Sequence, residues 1–190
     1  MKVMIGFVSL ALVLASSAPA DDEIPEALQE SVREEIRGIA DSIRILGRTA
    51  NELSPGMEEE YQKAKRLAGE SREQAKKGRL RQAYRTLREA KHAVTPVVAA
   101  TLERNDVPQD VKDLVSAEVS MTAGRIEILA GLLTDRAPPE ATAAYREAKD
   151  LYRDAKALHE EGKDADAIRT LDECLSRLDV AIRATFQPEK

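Results

Sequence analysis

Apolar residues recur at spacings of three and four along most of the chain, and two stretches do so in the same phase. Leu28, Val32, Ile36, Ile39, Ile43, Leu46, Ala50 and Leu53 fall on one stripe of a 3.6-residue helix. Val111, Val115, Val119, Thr122, Ile126, Leu129 and Leu133 repeat that stripe. Pro25 and Pro108 suit the first turn of these helices, where a proline forfeits no hydrogen bond. A second pair of helices is predicted from Met57, Tyr61, Ala64, Ala68, Ser71 and Ala75, and from Ala141, Tyr145, Ala148, Tyr152 and Ala155. Their many small side chains imply close helix approach. Gly78 and Gly162 follow, where a left-handed helix cap is expected. Third helices run through Leu80, Ala83, Tyr84, Leu87, Ala90 and Val94, and through Ala167, Ile168, Leu171, Cys174, Leu178 and Ile182. Thr95 and Pro96 read as a cap-and-start pair, at which the first of these either kinks or restarts. No segment alternates with period two, so no sheet is expected.

The repeated phase reflects an internal duplication. Residues 25–55 laid on 108–138 without a gap give eight identities, among them Val32/Val115, Glu35/Glu118, Ile43/Ile126 and Leu46/Leu129. With one further residue of shift, residues 61–95 laid on 145–179 give ten, including Tyr61/Tyr145, Gly78/Gly162, Arg85/Arg169 and Leu87/Leu171. Chance in a helix-rich composition supplies about two or three. The expected fold is therefore all-α, a six-helix array or bundle of two tandem three-helix units with α-solenoid-like packing, covering residues 21–106 and 107–190. Helix four carries a second apolar face, Leu114, Met121, Ile128 and Leu132, where helix one has Ser31, Gly38, Ile45 and Thr49. A helix apolar on two sides is sandwiched between neighbours, so helix four is expected at the centre, joining the units into one body.

Residues 1–20 read as a cleaved secretory leader: Met1 and Lys2, an uncharged run from Val3 to Ala15, then Ala18-Pro19-Ala20 before the cut. The run is too short for a membrane anchor of ~20 apolar residues, and no later stretch is apolar enough to span a bilayer. This predicts a periplasmic or secreted protein. Cys174 is the only cysteine, so an intramolecular disulfide is excluded. The formal net charge of −5 favours solubility without naming a partner. Aromatic residues make up 3% of the chain and Trp is absent, which, with export, argues against nucleic acid and base-stacking platforms.

Within each unit, the second and third helices resemble a tetratricopeptide hairpin over residues 61–95 and 145–179. The matching positions are Ser71, Gly78, Ala83, Leu87 and Ala90, then Ala155, Gly162, Ala167, Leu171 and Cys174. Gln74 and Leu158 stand where that family carries an aromatic, and its closing proline is out of register at Pro96. The resemblance implies a protein-binding scaffold without catalysis.

Surface charge separates the copies where core residues agree. Residues 61–92 hold eleven Lys and Arg against three acids, whereas residues 145–176 hold six against nine. Lys77, Arg81, Arg85, Arg88 and His92 are the candidate anion or partner site, the last four on one stripe of the third helix. Two readings stay open: a site for an acidic protein or an anionic envelope component, and a solvated face paired with the other copy's acids or with another subunit. Glu89 and His92 have the spacing of a helical di-iron ligand pair, but the second unit offers Glu173 and Ser176, so no metal site is expected. His159 at a helix end is favoured by the dipole. Cys174 on an apolar stripe reads as a packed thiol. No nucleophile, base and orienter set is apparent, so neither an enzyme nor a cofactor is expected. The sequence points to a non-enzymatic adaptor or chaperone-like module that binds another protein; the alternative is a carrier of a small molecule or lipid between the helices.

Overall fold

The computed structural model describes residues 26–48, 54–133 and 137–186. Within them the chain is all-α, with six helices and no strand: α1 (Glu26–Leu46), α2 (Pro55–Lys76), α3 (Leu80–Leu102), α4 (Gln109–Leu132), α5 (Pro139–Glu160) and α6 (Asp164–Phe186). The leader assigned to residues 1–20, Pro25, and the stripe residues Ala50 and Leu53 lie outside the described residues.

The helix limits repeat with the sequence. Pro55 and Pro139 each open their helix at its first position, so the counterpart of Pro55 is Pro139 and not Pro138. The one-residue shift between copies therefore falls before the second helices, in connections that tolerate insertions better than packed elements. Pro108 stands one place earlier than the first turn, as the extended N-cap of α4, and its carbonyl accepts the Val111 N–H at 3.1 Å. Both hairpin turns close the same way. The Arg79 N–H donates to the Gln74 carbonyl at 3.0 Å and the Lys163 N–H to Leu158 at 2.8 Å, with Gly78 and Gly162 at φ +75° between them. That left-handed conformation is what glycine supplies without a Cβ clash. Pro96 lies inside α3 without ending it, and Thr95 caps nothing: its hydroxyl donates back to the Lys91 carbonyl at 3.0 Å.

Small residues let each hairpin close tightly. Ala64, Ala68, Ala83 and Ala90 are buried between α2 and α3, where the Ser71 hydroxyl donates to the Ala83 carbonyl at 2.7 Å. Between α5 and α6 the Cys174 thiol donates to the Ala148 carbonyl at 3.2 Å. A matched tyrosine then ties each hairpin to the preceding helix: Tyr61 Oη donates to the Ile43 carbonyl at 3.2 Å and Tyr145 Oη to Ile126 at 3.3 Å.

The units meet through α3 against α6 and α1 against α4. The larger apolar core runs across the junction, joining Val97 and Leu87 to Val111, Ile168 and Leu171. Both α3 and α4 touch four other helices across the two units, and α3 is the more enclosed because it buries more of its residues. Leu114, Met121, Ile128 and Leu132 of α4 are only half-buried; the first three line a cleft and a groove beside α1.

Candidate functional site

Charge is concentrated where the two units meet. Arg88 and Lys91 of α3, Arg125 of α4, Glu35 of α1 and Asp172 of α6 are all buried; Arg125 is 1% exposed and Glu35 3%. Lys91 Nζ lies 3.2 Å from Glu35 and 2.6 Å from Glu118. Arg88 reaches Asp179 at 2.7 Å and Asp172 at 3.5 Å. Arg125 pairs with Glu35, and it also approaches Tyr84, whose hydroxyl contacts Asp179. His92 Nδ1 is 2.7 Å from Asp172, but that imidazole is 78% exposed and its contact is correspondingly screened.

Burial of ions is costly unless each finds partners, and these groups find one another. Burial tends to lower the Arg88 pKa, yet Asp179, Tyr84 and Asp172 together hold it above its ordinary value. Burial takes Arg125 down to about 10 against the pull of the acids, so it stays cationic at neutral pH. Burial, then the negative Asp179, pushes the Tyr84 hydroxyl well above its ordinary value. The cations of the cluster are paired with carboxylates of the same chain, although Arg88 Nη1 stays buried without a hydrogen-bond partner. What the cluster does is fix the register of one unit on the other.

The positions explain how the cluster arises. Glu35 and Glu118 are the same residue of the two copies, and both reach the one Lys91. Arg88 and Asp172 are likewise counterparts, as are Ser42 and Arg125, and Lys91 and Leu175. A helix face turned from its own unit's core meets the matching face of the other unit; there Arg88 and Asp172 differ in sign, whereas Lys91 and Arg125 have the uncharged counterparts Leu175 and Ser42.

Of the residues singled out in the sequence, Arg88 therefore lies inside the junction and His92 at its rim. Lys77 and Arg85 lie on the surface, and Arg81 is half-buried and already engaged within the fold. Two further cations, Arg72 and Arg79, accompany Lys77 and Arg85 at the α2–α3 turn and are exposed. The equivalent end of the α5–α6 hairpin is neutralised. Lys156 pairs with Glu160, Lys163 with Glu161 at 2.7 Å, and Arg169 with Glu103 at 2.5 Å and Asp166 at 3.1 Å. Each pair is exposed and individually weak, but together they leave little unmatched charge. At the matching positions of the first hairpin the cations are Arg72, Arg79 and Arg85, while Lys76, Lys77 and Gln82 stand where the second has Glu160, Glu161 and Asp166; the sequence counterpart of Glu103 is Gln187, outside the described residues.

One arrangement escaped sequence reasoning altogether. Ser116 Oγ lies 3.1 Å from His159 Nε2, and His159 Nδ1 lies 2.6 Å from Asp164. The order of contacts is that of a hydrolytic triad. Ser116, however, sits mid-helix on an exposed face of α4, where the neighbouring backbone N–H groups are consumed by the helix and none is left to hold an oxyanion. The chain pins the end of α5 to α4 by this contact. Sequence alone offered no signal for it, since the three residues come from three elements.

Among the described residues no group of His, Cys, Asp and Glu is disposed to hold a metal ion, and no helix is long and apolar enough to cross a membrane. The fold and its junction define a duplicated all-α array with one buried ionic seam. No protein-family model, curated protein or solved structure matches the chain.

Proposed function

We propose that this chain is an exported, non-enzymatic helical-repeat protein that binds another protein through the basic end of its α2–α3 hairpin. One observation carries the reading: Arg72, Lys77, Arg79 and Arg85 are exposed at one end of the first hairpin, whereas Lys156, Lys163 and Arg169, the counterparts of Arg72, Arg79 and Arg85 in the second hairpin, are each paired with an acid of the chain, and Lys77 stands where the second hairpin has Glu161. Glu73, ion-paired with Lys76, also attracts Arg72 and Lys77 and offsets only part of this charge; like charges held together on rigid helices repel one another, and an oppositely charged partner relieves that repulsion. The tetratricopeptide resemblance points the same way. Export rests on the leader-like residues 1–20.

A carrier reading draws less support. The cleft between α1, α3, α4 and α6 has a volume of about 40 Å³, space for a few waters. The groove between α1 and α4, about 430 Å³, is open and edged by Glu30, Glu34 and Glu35, which suit neither an acyl chain nor an anion.

A photo-crosslinking residue placed at Gln82 of the first hairpin, and in a second variant at Asp166 of the other, tests the proposal in intact exporting cells. A protein adduct from position 82 that is lost in the Arg79→Glu/Arg85→Glu background is the expected result. No adduct, or equal adducts from both positions, rejects it.

A further inference from the structure

We infer that the basic end of the α2–α3 hairpin takes a carboxylate-rich segment of a partner protein, whose acids stand where the second unit places its own. The inference rests on the binding role proposed above and adds the chemistry of the partner.

The second unit shows what its hairpin end binds. Arg169 spreads its two terminal nitrogens over two carboxylates, NH2 to Glu103 at the end of α3 and NH1 to Asp166 one turn back on α6. Its pKa is raised, first by the hydrogen bond to Glu103. Lys163 takes Glu161, which raises its pKa too, and Lys156 takes Glu160. Between the copies every one of these cations persists, as Arg85, Arg79 and Arg72, and none of the four acids does. Glu160 and Glu161 correspond to Lys76 and Lys77, Asp166 corresponds to Gln82, and the sequence counterpart of Glu103 is Gln187, outside the described residues. The guanidinium shared by the two copies, Arg85 and Arg169, has Glu103 and Asp166 as partners in the second unit and neither matching acid in the first, which leaves a site shaped by example for carboxylate.

The class of partner follows from that example. A guanidinium binds a planar carboxylate through two parallel N–H groups, the mode Arg169 uses in divided form. Arg79 is the N-cap of α3 and Arg85 lies in the second turn of that helix, both exposed at the same end of the hairpin. A partner segment carrying several acids engages both, and Arg72 and Lys77 extend the positive surface across the turn.

The test uses the whole folded chain and a fluorescein-labelled peptide of about ten Glu and Ser residues, read by anisotropy. Binding is expected at low salt and should weaken by about tenfold or more as ionic strength rises to several tenths molar, where the screening length falls to a few ångströms. Arg79→Glu/Arg85→Glu should abolish it, whereas Lys112→Glu/Arg146→Glu, an equal charge change on exposed sites elsewhere, should leave it within about twofold. Gln82→Asp, which rebuilds beside Arg85 the acid that occupies Arg169, should weaken binding about threefold while circular dichroism and the urea midpoint stay unchanged. Conversely, Glu103→Gln/Glu161→Lys/Asp166→Gln should open a second site and raise the stoichiometry from one peptide to two. Peptide binding that the elsewhere-charged control loses equally would overturn the assignment. So would selective, tip-dependent binding of vesicles containing phosphatidylglycerol or of inorganic polyphosphate in place of the peptide. If the peptide fails while the position-82 adduct still forms, the partner chemistry is wrong and the binding role stands; if both fail, the role falls as well.

Discussion

Arg88 of α3 and Asp172 of α6 occupy the same position in the two copies and meet across the junction, the Arg88 guanidinium 3.5 Å from the Asp172 carboxylate. In a symmetric pair of identical units the same residue would face itself, and two arginines or two aspartates there would repel. Duplication within one chain allows the two sites to differ, and here they differ in sign. The contact lies in a low-dielectric setting with both side chains about one-tenth exposed, 10% and 11%. Asp179 completes the arginine's coordination at 2.7 Å.

Truncating either member leaves a buried charge without its partner, so Arg88→Ala is expected to cost about 3–5 kcal/mol and Asp172→Ala somewhat less, since Arg88 retains Asp179. Because the positions correspond, the exchange Arg88→Asp/Asp172→Arg should recover part of the loss, with Asp179 limiting how much. Urea denaturation of the two single variants and the double variant measures this as a double-mutant cycle. Additive losses would show that the pair is not coupled.

Lys91 makes the second predicted point of weakness. It bridges Glu35 and Glu118, and Lys91→Met keeps most of its apolar stem while deleting the charge. Glu35 keeps Arg125, whereas no other ion-pair partner is shown for Glu118. Two carboxylates then share one buried place, and the folded pKa of one rises above the ordinary value of about 4.3. A carboxyl group with a raised folded pKa binds its proton more readily in the folded chain, so the variant regains stability as pH falls through that raised value. Lys91→Met should therefore be about 3 kcal/mol less stable than the parent at pH 7 and close much of that gap near pH 5. Urea midpoints at both pH values decide it, and a gap independent of pH would mean the lysine contributes packing alone.

Much of this fold was legible in the chain. The stripes led to six helices, Gly78 and Gly162 to the hairpin caps, and the equivalence of Tyr61 and Tyr145 reflects a hydrogen bond made twice. Periodicity reports which face of a helix is apolar, and it says nothing of a polar face that is buried between units. Arg88 and Lys91 lie on such a face, so their sequence context reads as surface. The signal that could have found them is comparison of the copies: Glu35 and Glu118 are kept, whereas Arg88/Asp172, Lys91/Leu175 and Ser42/Arg125 change charge. For the same reason α4 looked central on the strength of its second apolar face. Its half-burial against α1 shows that an apolar face can line a cleft as well as a core.

Cys174 predicts how the fold responds to alkali. Burial pushes its pKa up to about 12, whereas in an unfolded chain a thiol ionises near 8.5. With the folded value the higher, the stabilisation is complete below about pH 8.5 and is lost as pH climbs toward the folded value, because only the unfolded chain ionises in that window. Tyr84, raised well above its ordinary value, adds the same slope from about pH 10. Stability should fall by about 1–2 kcal/mol between pH 8.5 and pH 10, and Cys174→Ala, the residue at the matching Ala90, should flatten that decline. Urea titrations across the range read it directly. In the native state the thiol should also resist a disulfide reagent at pH 8 and react on unfolding; rapid native reaction would place it at the surface.

The contact of Ser116, His159 and Asp164 is the one feature that invites an enzymatic reading, so its expected inertness is worth a direct measurement. Distances of 3.1 and 2.6 Å place proton acceptor and orienter correctly for activating a hydroxyl. An activated serine still needs donors aimed at the developing oxyanion, and loss of one such donor costs about 10²–10³ in rate even in a complete site. Ser116 lies in the body of α4, between its ends at Gln109 and Leu132, where each backbone N–H is committed to the carbonyl one turn earlier. Fluorophosphonate labelling of the native protein should therefore be no faster than for Ser116→Ala, and p-nitrophenyl acetate should be cleaved no faster by the parent than by His159→Gln. His159→Ala should instead register as a stability change of about 1 kcal/mol, the scale of a hydrogen bond that ties the end of one helix to another. Stoichiometric labelling at Ser116 that depends on His159 would make the contact a nucleophile's, and the non-enzymatic reading would have to be abandoned.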